Sequence, residues 1–196
     1  DSAGKHDGDF PFGIRYALGV SGQAFDFRRS YEIQNLLQRV NIPDSPEFQL
    51  SEAMTLEARI NPRRHGGIIL IRGDDRPGFD TWQLDVIAPG KISFNFDDAE
   101  NKSAEIVAPI KLNQWQHVVA TFDRGAMKLY VDGVLVALAH TELRPNPILD
   151  AQRGPALGIG NAGGKYYTIP FDGFIDDVRI YNRALSETEI VERLKG

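Results

Sequence analysis

The stretch Phe171-Asp172-Gly173-Phe174-Ile175-Asp176-Asp177-Val178-Arg179-Ile180-Tyr181-Asn182-Arg183-Ala184-Leu185-Ser186 decides the fold of this chain. Its first part predicts a β-strand, and its end leads into a helix. Ser186 and Glu189 predict a capping box at the start of that helix, with the spacing Ser-x-x-Glu. Earlier in the chain, Tyr130-Val131-Asp132-Gly133 predicts the tip of a β-hairpin, because Asp-Gly supplies the two positive φ angles of a type I′ turn.

The rest of the chain has the pattern of an antiparallel β protein. Short alternating segments separated by Gly, Pro, Asp and Asn recur from residue 54 to residue 180, which favours a sandwich or barrel over βαβ units. The predicted strands cover residues 19–27, 54–60, 67–72, 82–87, 91–97, 115–122, 127–131, 134–139, 154–160 and 174–181. Residues 30–38 predict either a helical turn or an insertion.

Two of these strands form a predicted hairpin with one apolar and one polar face. The apolar positions, which we expect to face the core, are Trp82, Leu84, Val86, Ile92, Phe94 and Phe96. The polar positions on the opposite face are Gln83, Asp85, Lys91, Ser93, Asn95 and Asp97. This polar face is the first candidate for a binding surface.

The composition limits the classes of function. A chain of 196 residues fits one domain, and its 42% hydrophobic and 25% charged residues are ordinary globular values. The net charge of −5 argues against a nucleic-acid partner, which needs a basic stripe. The absence of cysteine excludes disulfides and a thiol nucleophile. No apolar run reaches the roughly 18 residues of a membrane span, so we expect no membrane insertion. Because the chain opens at Asp1, we expect a mature protein or an excised domain.

The C-terminal segments, together with residues 19–27, 40–44, 54–60 and 115–123 in this order, resemble the laminin-G-like (concanavalin A-like) jelly-roll family. The resemblance covers roughly residues 19–194. It implies an all-β fold of two antiparallel sheets, one concave and one convex, with a short C-terminal helix. It places the domain at 19–196, after an N-terminal extension or partial edge strand at 1–18. It also implies a secreted, cell-surface or periplasmic location. One departure is an insertion after Phe27.

Catalytic motifs are missing from the sequence. Related jelly-roll glycosidases carry Glu-x-Asp-x-x-Glu on one strand, and this chain has no such string. The acidic cluster Asp97-Asp98-x-Glu100 has the wrong spacing and predicts a solvated turn. His117 on a strand predicts a hydrogen-bonded structural histidine. We therefore expect no enzyme, with an unrecognised glycan-cleaving hydrolase as the less favoured alternative.

A calcium site is a further candidate. Strand alternation predicts Asp176 on the same face as Phe174, Val178 and Ile180, where a carboxylate must be paired or bound to a metal. The family resemblance implies a structural calcium held by Asp176, with Asp26 as a second ligand. The alternative is that Asp176 caps backbone amides or pairs with an arginine.

The expected function is non-catalytic carbohydrate recognition. The candidate ligands are polar groups of the hairpin and its neighbourhood together with two loop tyrosines, namely Arg72, Gln83, Asp85, Ser93, Asn95, Tyr166 and Tyr167. The expected partner is a glycan or glycoprotein, and other domains of a longer chain are possible neighbours. The alternative is a protein–protein adhesion or structural domain, which predicts an exposed apolar or charged patch in the loops.

Overall fold

The computed structural model describes residues 4–10, 13–28, 38–74, 80–150, 157–162 and 169–195. The strands in these ranges are β1 (Arg15–Leu18), β2 (Gln23–Phe27), β3 (Val40–Ile42), β4 (Ala53–Pro62), β5 (Gly67–Gly73), β6 (Asp80–Ile87), β7 (Lys91–Asp97), β8 (Ser103–Pro109), β9 (Gln116–Asp123), β10 (Ala126–Val131), β11 (Val134–His140), β12 (Leu157–Ile159) and β13 (Gly173–Tyr181). The helix α1 spans Glu187–Glu192, and 3₁₀ turns lie at Pro46–Phe48 and Arg193–Lys195.

The strands form two antiparallel sheets. The first has seven strands in the order β1-β2-β13-β4-β9-β10-β11, and the second has six in the order β3-β12-β5-β6-β7-β8. Strands that are distant in sequence lie side by side, as β2, β13 and β4 do in the seven-stranded sheet. The predicted all-β, two-sheet jelly roll with a short C-terminal helix is confirmed.

The hydrophobic core lies between the two sheets. On β6 and β7 the predicted core positions all belong to this core, and Trp82, Leu84 and Phe94 are completely buried. Burial of each large apolar side chain stabilises the fold by roughly 1.5–3 kcal/mol. Because side chains alternate along a strand, the same pattern directs Gln83 and Asn95 to the outer face of the six-stranded sheet.

The C-terminal hairpin and helix form as the sequence predicts. Asp132 and Gly133 have φ angles of 50° and 76°, as a type I′ turn requires. Ser186 accepts a hydrogen bond from the backbone of Glu189, whose side chain bonds back to the Ser186 amide. Ile190 of α1 is fully buried against a small cluster outside the main core. The other members of that cluster are Val119, Tyr130 and Leu185.

A β-bulge reverses the predicted faces of β13. The register of β13 on β4 shifts by one residue after Asp176, and Asp177 takes a φ of 51°. As a result Ile175, not Phe174, points into the core. Phe174 lies instead against Trp115, with ring centroids 6.0 Å apart. The prediction that Asp176 shares a core-facing side with Val178 is therefore wrong.

The first third of the chain differs from the predicted pattern. The predicted strand 19–27 is only Gln23–Phe27, and residues 19–22 form a turn in which the Gly19 amide donates to the Gly22 carbonyl at 3.0 Å. Arg15–Leu18, within the predicted extension, pairs with β2 as an edge strand. The predictions for 30–38 and 154–156 fall almost entirely outside the described residues. Strands β3 and β8 were not predicted.

Candidate functional site

The candidate site lies on the outer face of β5 to β8, where register places polar side chains in two rows. The first row runs across the strands as Ile71, Gln83, Asn95 and Glu105. The second runs as Ile68, Asp85, Ser93 and Val107. We call the five polar residues Gln83, Asp85, Ser93, Asn95 and Glu105 the outer-face network. Thus four of the predicted ligands lie together, and Glu105 is an addition.

Hydrogen bonds join the outer-face network into one unit. The Asn95 amide donates to Asp85 Oδ1 at 3.3 Å and to Ser93 Oγ at 3.1 Å. The Ser93 hydroxyl donates to Glu105 Oε1 at 2.8 Å. The side chain of Gln83 lies beside Asp85 and favours its ionised form. The network is therefore held in place before any ligand arrives.

The network has a buried and an accessible layer. Ser93 and Asp85 are only 0% and 6% exposed, whereas Asn95 is half-buried and Glu105 is exposed. Gln83 is 7% exposed, yet its Oε1 atom has no hydrogen-bond partner. A buried acceptor without a donor costs free energy, and this Oε1 atom lies beneath the accessible layer.

Burial makes the network resist ionisation at one position. It raises the pKa of Asp85 to about 6, and the nearby charges of Glu105 and Asp80 act in the same direction. The polar side chains of Gln83 and Ser93, which favour the ionised form, oppose this effect without cancelling it. The Asp85 carboxyl therefore gains a proton near pH 6, well above the usual range of an aspartate.

A second group of carboxylates continues along the same sheet. Burial raises the pKa of Asp80 to about 6, with the charges of Asp97 and Asp74 acting in the same direction. Asp97 accepts hydrogen bonds from the Asp80 amide at 3.0 Å and from the Ser103 hydroxyl at 2.5 Å. The outer face of the six-stranded sheet is consequently acidic over β6, β7 and β8.

Arg72 is not part of the site. Its side chain is completely buried on the core side of β5, where it pairs with Asp44 at 2.9 Å through both Nε and Nη2. Its Nη1 donates to Thr81 at 3.3 Å. The prediction that Arg72 binds a ligand is thus corrected, since no part of the guanidinium reaches solvent. Tyr166 and Tyr167 lie outside the described residues.

Asp26, one of the two predicted calcium ligands, is bound by arginines. Arg28 donates to Asp26 Oδ2 through Nε at 3.0 Å and through Nη2 at 2.9 Å. Arg63 donates to Asp26 Oδ1 and, at 3.1 Å, to Asp172. Two guanidinium groups therefore already neutralise the Asp26 carboxylate.

Asp176, the other predicted calcium ligand, caps backbone amides. Its Oδ2 accepts from Val20 at 2.9 Å and from Ser21 at 3.3 Å, and its Oδ1 accepts from Asp177 at 2.8 Å. No cluster of three or more Asp, Glu or His able to hold a metal occurs in the described part of the chain. With its oxygens directed at N–H groups, this donor set does not fit calcium, and the calcium site stays a prediction.

The groups considered for acid–base chemistry have structural contacts. His117 is 2% exposed, and its Nε2 lies 2.9 Å from Glu57 Oε1. Tyr181 donates to the other oxygen of Glu57 at 3.0 Å, and this contact together with burial raises the Tyr181 pKa to about 12. Asp98 accepts from two backbone amides of its own turn.

A cavity of about 630 Å³ opens elsewhere in the molecule, between the sheets. It lies beside the second half of β13, because β2 pairs with β13 only from Gly173 to Ile175. Its wall is mainly apolar and includes Phe25, Ile159 and Ile180. None of the described residues predicted to bind a glycan lines it, so the cavity and the outer-face network are separate features.

The fold and the polar outer face define a class of protein, the lectin-like β-sandwiches. A sequence profile of the concanavalin A-like lectin/glucanases superfamily, of the laminin G type, matches residues 37–191, and the chain belongs to this family. In the described part of the chain, no helix is long and apolar enough to cross a membrane.

Several solved structures share the fold. The botulinum neurotoxin serotype G binding domain is 17% identical, with a TM-score of 0.74, over 100% of this chain and 47% of its own. The binding domain of botulinum neurotoxin DC, solved with SialylT, is 15% identical, with a TM-score of 0.70, over 97% and 46%. Domain 4 of AbnA, a GH43 arabinanase from Geobacillus stearothermophilus solved with arabinotriose, is 18% identical, with a TM-score of 0.63, over 92% and 80%. This chain spans about half the length of the neurotoxin binding domains.

Proposed function

We propose that this protein is a non-catalytic carbohydrate-binding module that holds a glycan on the outer-face network. The observation that carries the proposal is the outer-face network itself, in which buried hydrogen bonds hold the accessible polar groups of Asn95 and Glu105 in place. Sugar recognition depends on such fixed hydrogen-bonding groups. The family and the sugar complexes of two neighbours agree with this function.

Binding would be an equilibrium process that needs no movement of the sheet. Asp85 and Ser93 are buried beneath the accessible layer, and their hydrogen bonds fix the side chains of Asn95 and, through Ser93, Glu105. A preorganised surface loses little side-chain entropy when the ligand binds. Val107 borders the rows, is exposed, and offers apolar contact to the C–H face of a sugar ring.

The partner and the location follow as parts of the same proposal. The partner is a glycan or glycoprotein, and other domains of a longer chain are possible neighbours. A secreted, cell-surface or periplasmic protein meets such ligands, and the cysteine-free composition suits those compartments as well as any other. Calcium is not needed by the outer-face network, where amide, hydroxyl and carboxylate groups form the surface.

A glycan array followed by titration calorimetry tests the proposal. Asn95→Ala is expected to weaken binding of any array hit by about tenfold or more, because it removes an accessible group and releases Asp85 and Ser93. The matched control is Asn61→Ala, which changes a half-buried strand asparagine on the other sheet. Equal binding by both variants, or no hit on the array, would overturn the proposal.

A protein partner is the second candidate function, and strand β11 favours it. This edge strand exposes Val134, Leu135, Val136 and Leu138. One neighbour, the binding domain of botulinum neurotoxin DC, was also solved with rat synaptotagmin II. The apolar surface lies on a strand rather than in the predicted loops. This alternative predicts that the wild-type chain binds no glycan. It also predicts that binding of a protein partner survives Asn95→Ala and is lost after Leu138→Asp.

Within the outer-face network, the hydrolase alternative has one pair of carboxylates to consider, Asp85 and Glu105. Asp85 is 6% exposed and accepts a hydrogen bond from Asn95, which leaves no room for a sugar oxygen against it. A proton donor must reach the leaving oxygen within about 3 Å. We therefore expect no reducing sugar to be released from any glycan that the array identifies.

A further inference from the structure

We infer that the outer-face network selects neutral glycans and rejects glycans that carry a carboxylate at the bound residue. This inference rests on the proposed function, because it names the class of sugar that the same surface takes. It follows from which hydrogen-bonding groups the network uses internally and which it leaves for a ligand.

The donors of Asn95 and Ser93 are used within the network. Both hydrogens of the Asn95 amide are directed at network oxygens, namely Asp85 Oδ1 and Ser93 Oγ. Ser93 has a single hydroxyl hydrogen, which goes to Glu105. These two residues therefore leave no side-chain hydrogen for a ligand.

An accessible acceptor, in contrast, remains available. The exposed Glu105 carboxylate accepts from Ser93 through Oε1 and keeps further lone pairs for other donors. A ligand that binds here must therefore supply hydrogens. The hydroxyl groups of a neutral sugar do so, whereas a sugar carboxylate brings only more acceptors.

The negative charge of this surface also disfavours a sugar that carries a carboxylate. Glu105 lies in the network, and Asp97 and Asp80 continue the acidic surface toward the end of β7. The nearest basic side chain on this face of β7 is Lys91, at the opposite end of the strand. No lysine or arginine in the described ranges forms an ion pair with Asp85, Glu105, Asp80 or Asp97. An anionic sugar therefore meets like charges, and no lysine or arginine of the described ranges is paired with these carboxylates to offset them.

Matched pairs of glycans test the inference. The probes are lactose and 3′-sialyllactose, and a neutral and a carboxylated member of the family that the array identifies. We expect the wild-type protein to bind the acidic member of the pair at least about tenfold more weakly than the neutral member, when the acidic residue occupies the site. The difference should shrink in 1 M salt, where screening acts over about 3 Å.

Two variants assign the selectivity to the network. Glu105→Gln should raise the affinity for the acidic member and change the affinity for the neutral member less. The ratio of the neutral affinity to the acidic affinity should therefore fall. Glu105→Lys should favour the acidic member further. Glu142→Gln removes an exposed glutamate elsewhere and should leave the ratio unchanged. The melting temperature of each variant shows that it is folded.

The outcomes separate the inference from the proposed function. If wild-type protein binds neutral and acidic members equally, and Asn95→Ala weakens both, the glycan site stands and the selectivity is wrong. The same holds if Glu105→Lys leaves the ratio unchanged. If no member of any pair binds, or if binding survives Asn95→Ala, the proposed function fails and takes the inference with it.

Discussion

Substitution of Asp44 by alanine should strongly destabilise this fold, although Asp44 itself is partly exposed. Its carboxylate receives two hydrogen bonds of 2.9 Å from Arg72, whose side chain is 0% exposed, while the Asp44 side chain is 29% exposed. Among the described residues, Asp44→Ala leaves the guanidinium in the core with Thr81 as its one remaining side-chain partner. An unpaired buried charge is the costly part of such a change.

The expected magnitude follows from the burial of the two partners. Removing one member of a buried ion pair costs about 3–5 kcal/mol. Because Asp44 is partly exposed, water can enter the space that its side chain leaves, and we expect the lower end, about 3 kcal/mol. For a domain of this size that corresponds to a fall in melting temperature of roughly 6–12 °C. Arg72→Met should cost less, because it removes the charge and keeps the apolar stem.

Urea unfolding followed by tryptophan fluorescence measures these effects, because Trp82 is fully buried in the core. The double variant Asp44→Ala/Arg72→Met should be more stable than Asp44→Ala alone, since it leaves no unpaired charge. Asp123→Ala is the control, because Asp123 pairs with Arg124 at the surface, with exposed fractions of 47% and 75%. That exposed pair should contribute less than about 1 kcal/mol. An Asp44→Ala effect as small as the control, or a double variant less stable than the single one, would refute the reasoning.

Three further outcomes are expected. Asp85→Asn should stabilise the protein at pH 8 by up to about 3 kcal/mol and by almost nothing at pH 4. The Asp85 pKa is raised to about 6, so the wild-type carboxyl costs stability as the pH rises from about 4 to about 6. Urea unfolding at pH 8 and pH 4 measures the stability difference between the variant and the wild type. Ser186→Ala should lower stability by about 1 kcal/mol in thermal unfolding, because Ser186 caps α1. EDTA should leave the melting temperature unchanged, because Asp26 and Asp176 are bound by N–H groups; a fall that calcium reverses would support the calcium site instead.

The faces of β6 and β7 could be predicted because their alternation is strong. Large apolar residues occupy every second position, so a register slip would expose Trp82 and Phe94 and bury charge. The same alternation brought Gln83, Asp85, Ser93 and Asn95 to one face, where the structure places them. The turn and the helix cap were predictable for a similar reason, because each depends on residues that are close in sequence.

The sequence did not reveal β8, and with it Glu105. The core positions of β8 are Ala104, Ile106 and Ala108, and two alanines give a weak apolar signal. Proline at its last position, Pro109, also argues against a strand. Apolar and polar residues nevertheless alternate along this strand. The alternation predicts the strand when small apolar residues count as much as large ones.

Asp176 was misplaced because a bulge changes the count of residues along a strand. The ladder shifts after Asp176 on β13. A period-two argument assumes an unbroken ladder, so it cannot place residues on both sides of the shift on their correct faces. The ion pair of Arg72 with Asp44 joins residues that are far apart in sequence, and no local pattern contains that information.

Exposure was the other property that alternation could not supply. The pattern assigned Ser93 to the polar face correctly, yet Ser93 is 0% exposed and acts beneath the surface. Its hydroxyl goes to Glu105 on the neighbouring strand, and it also accepts a hydrogen bond from Asn95. The chemistry of the surface is therefore set by the register of three strands, since that register decides which donors are satisfied internally. Under the proposed function, a change at the exposed Glu105 would alter the charge that a sugar meets, while the hydrogen bonds from Asn95 to Asp85 and Ser93 stay in place.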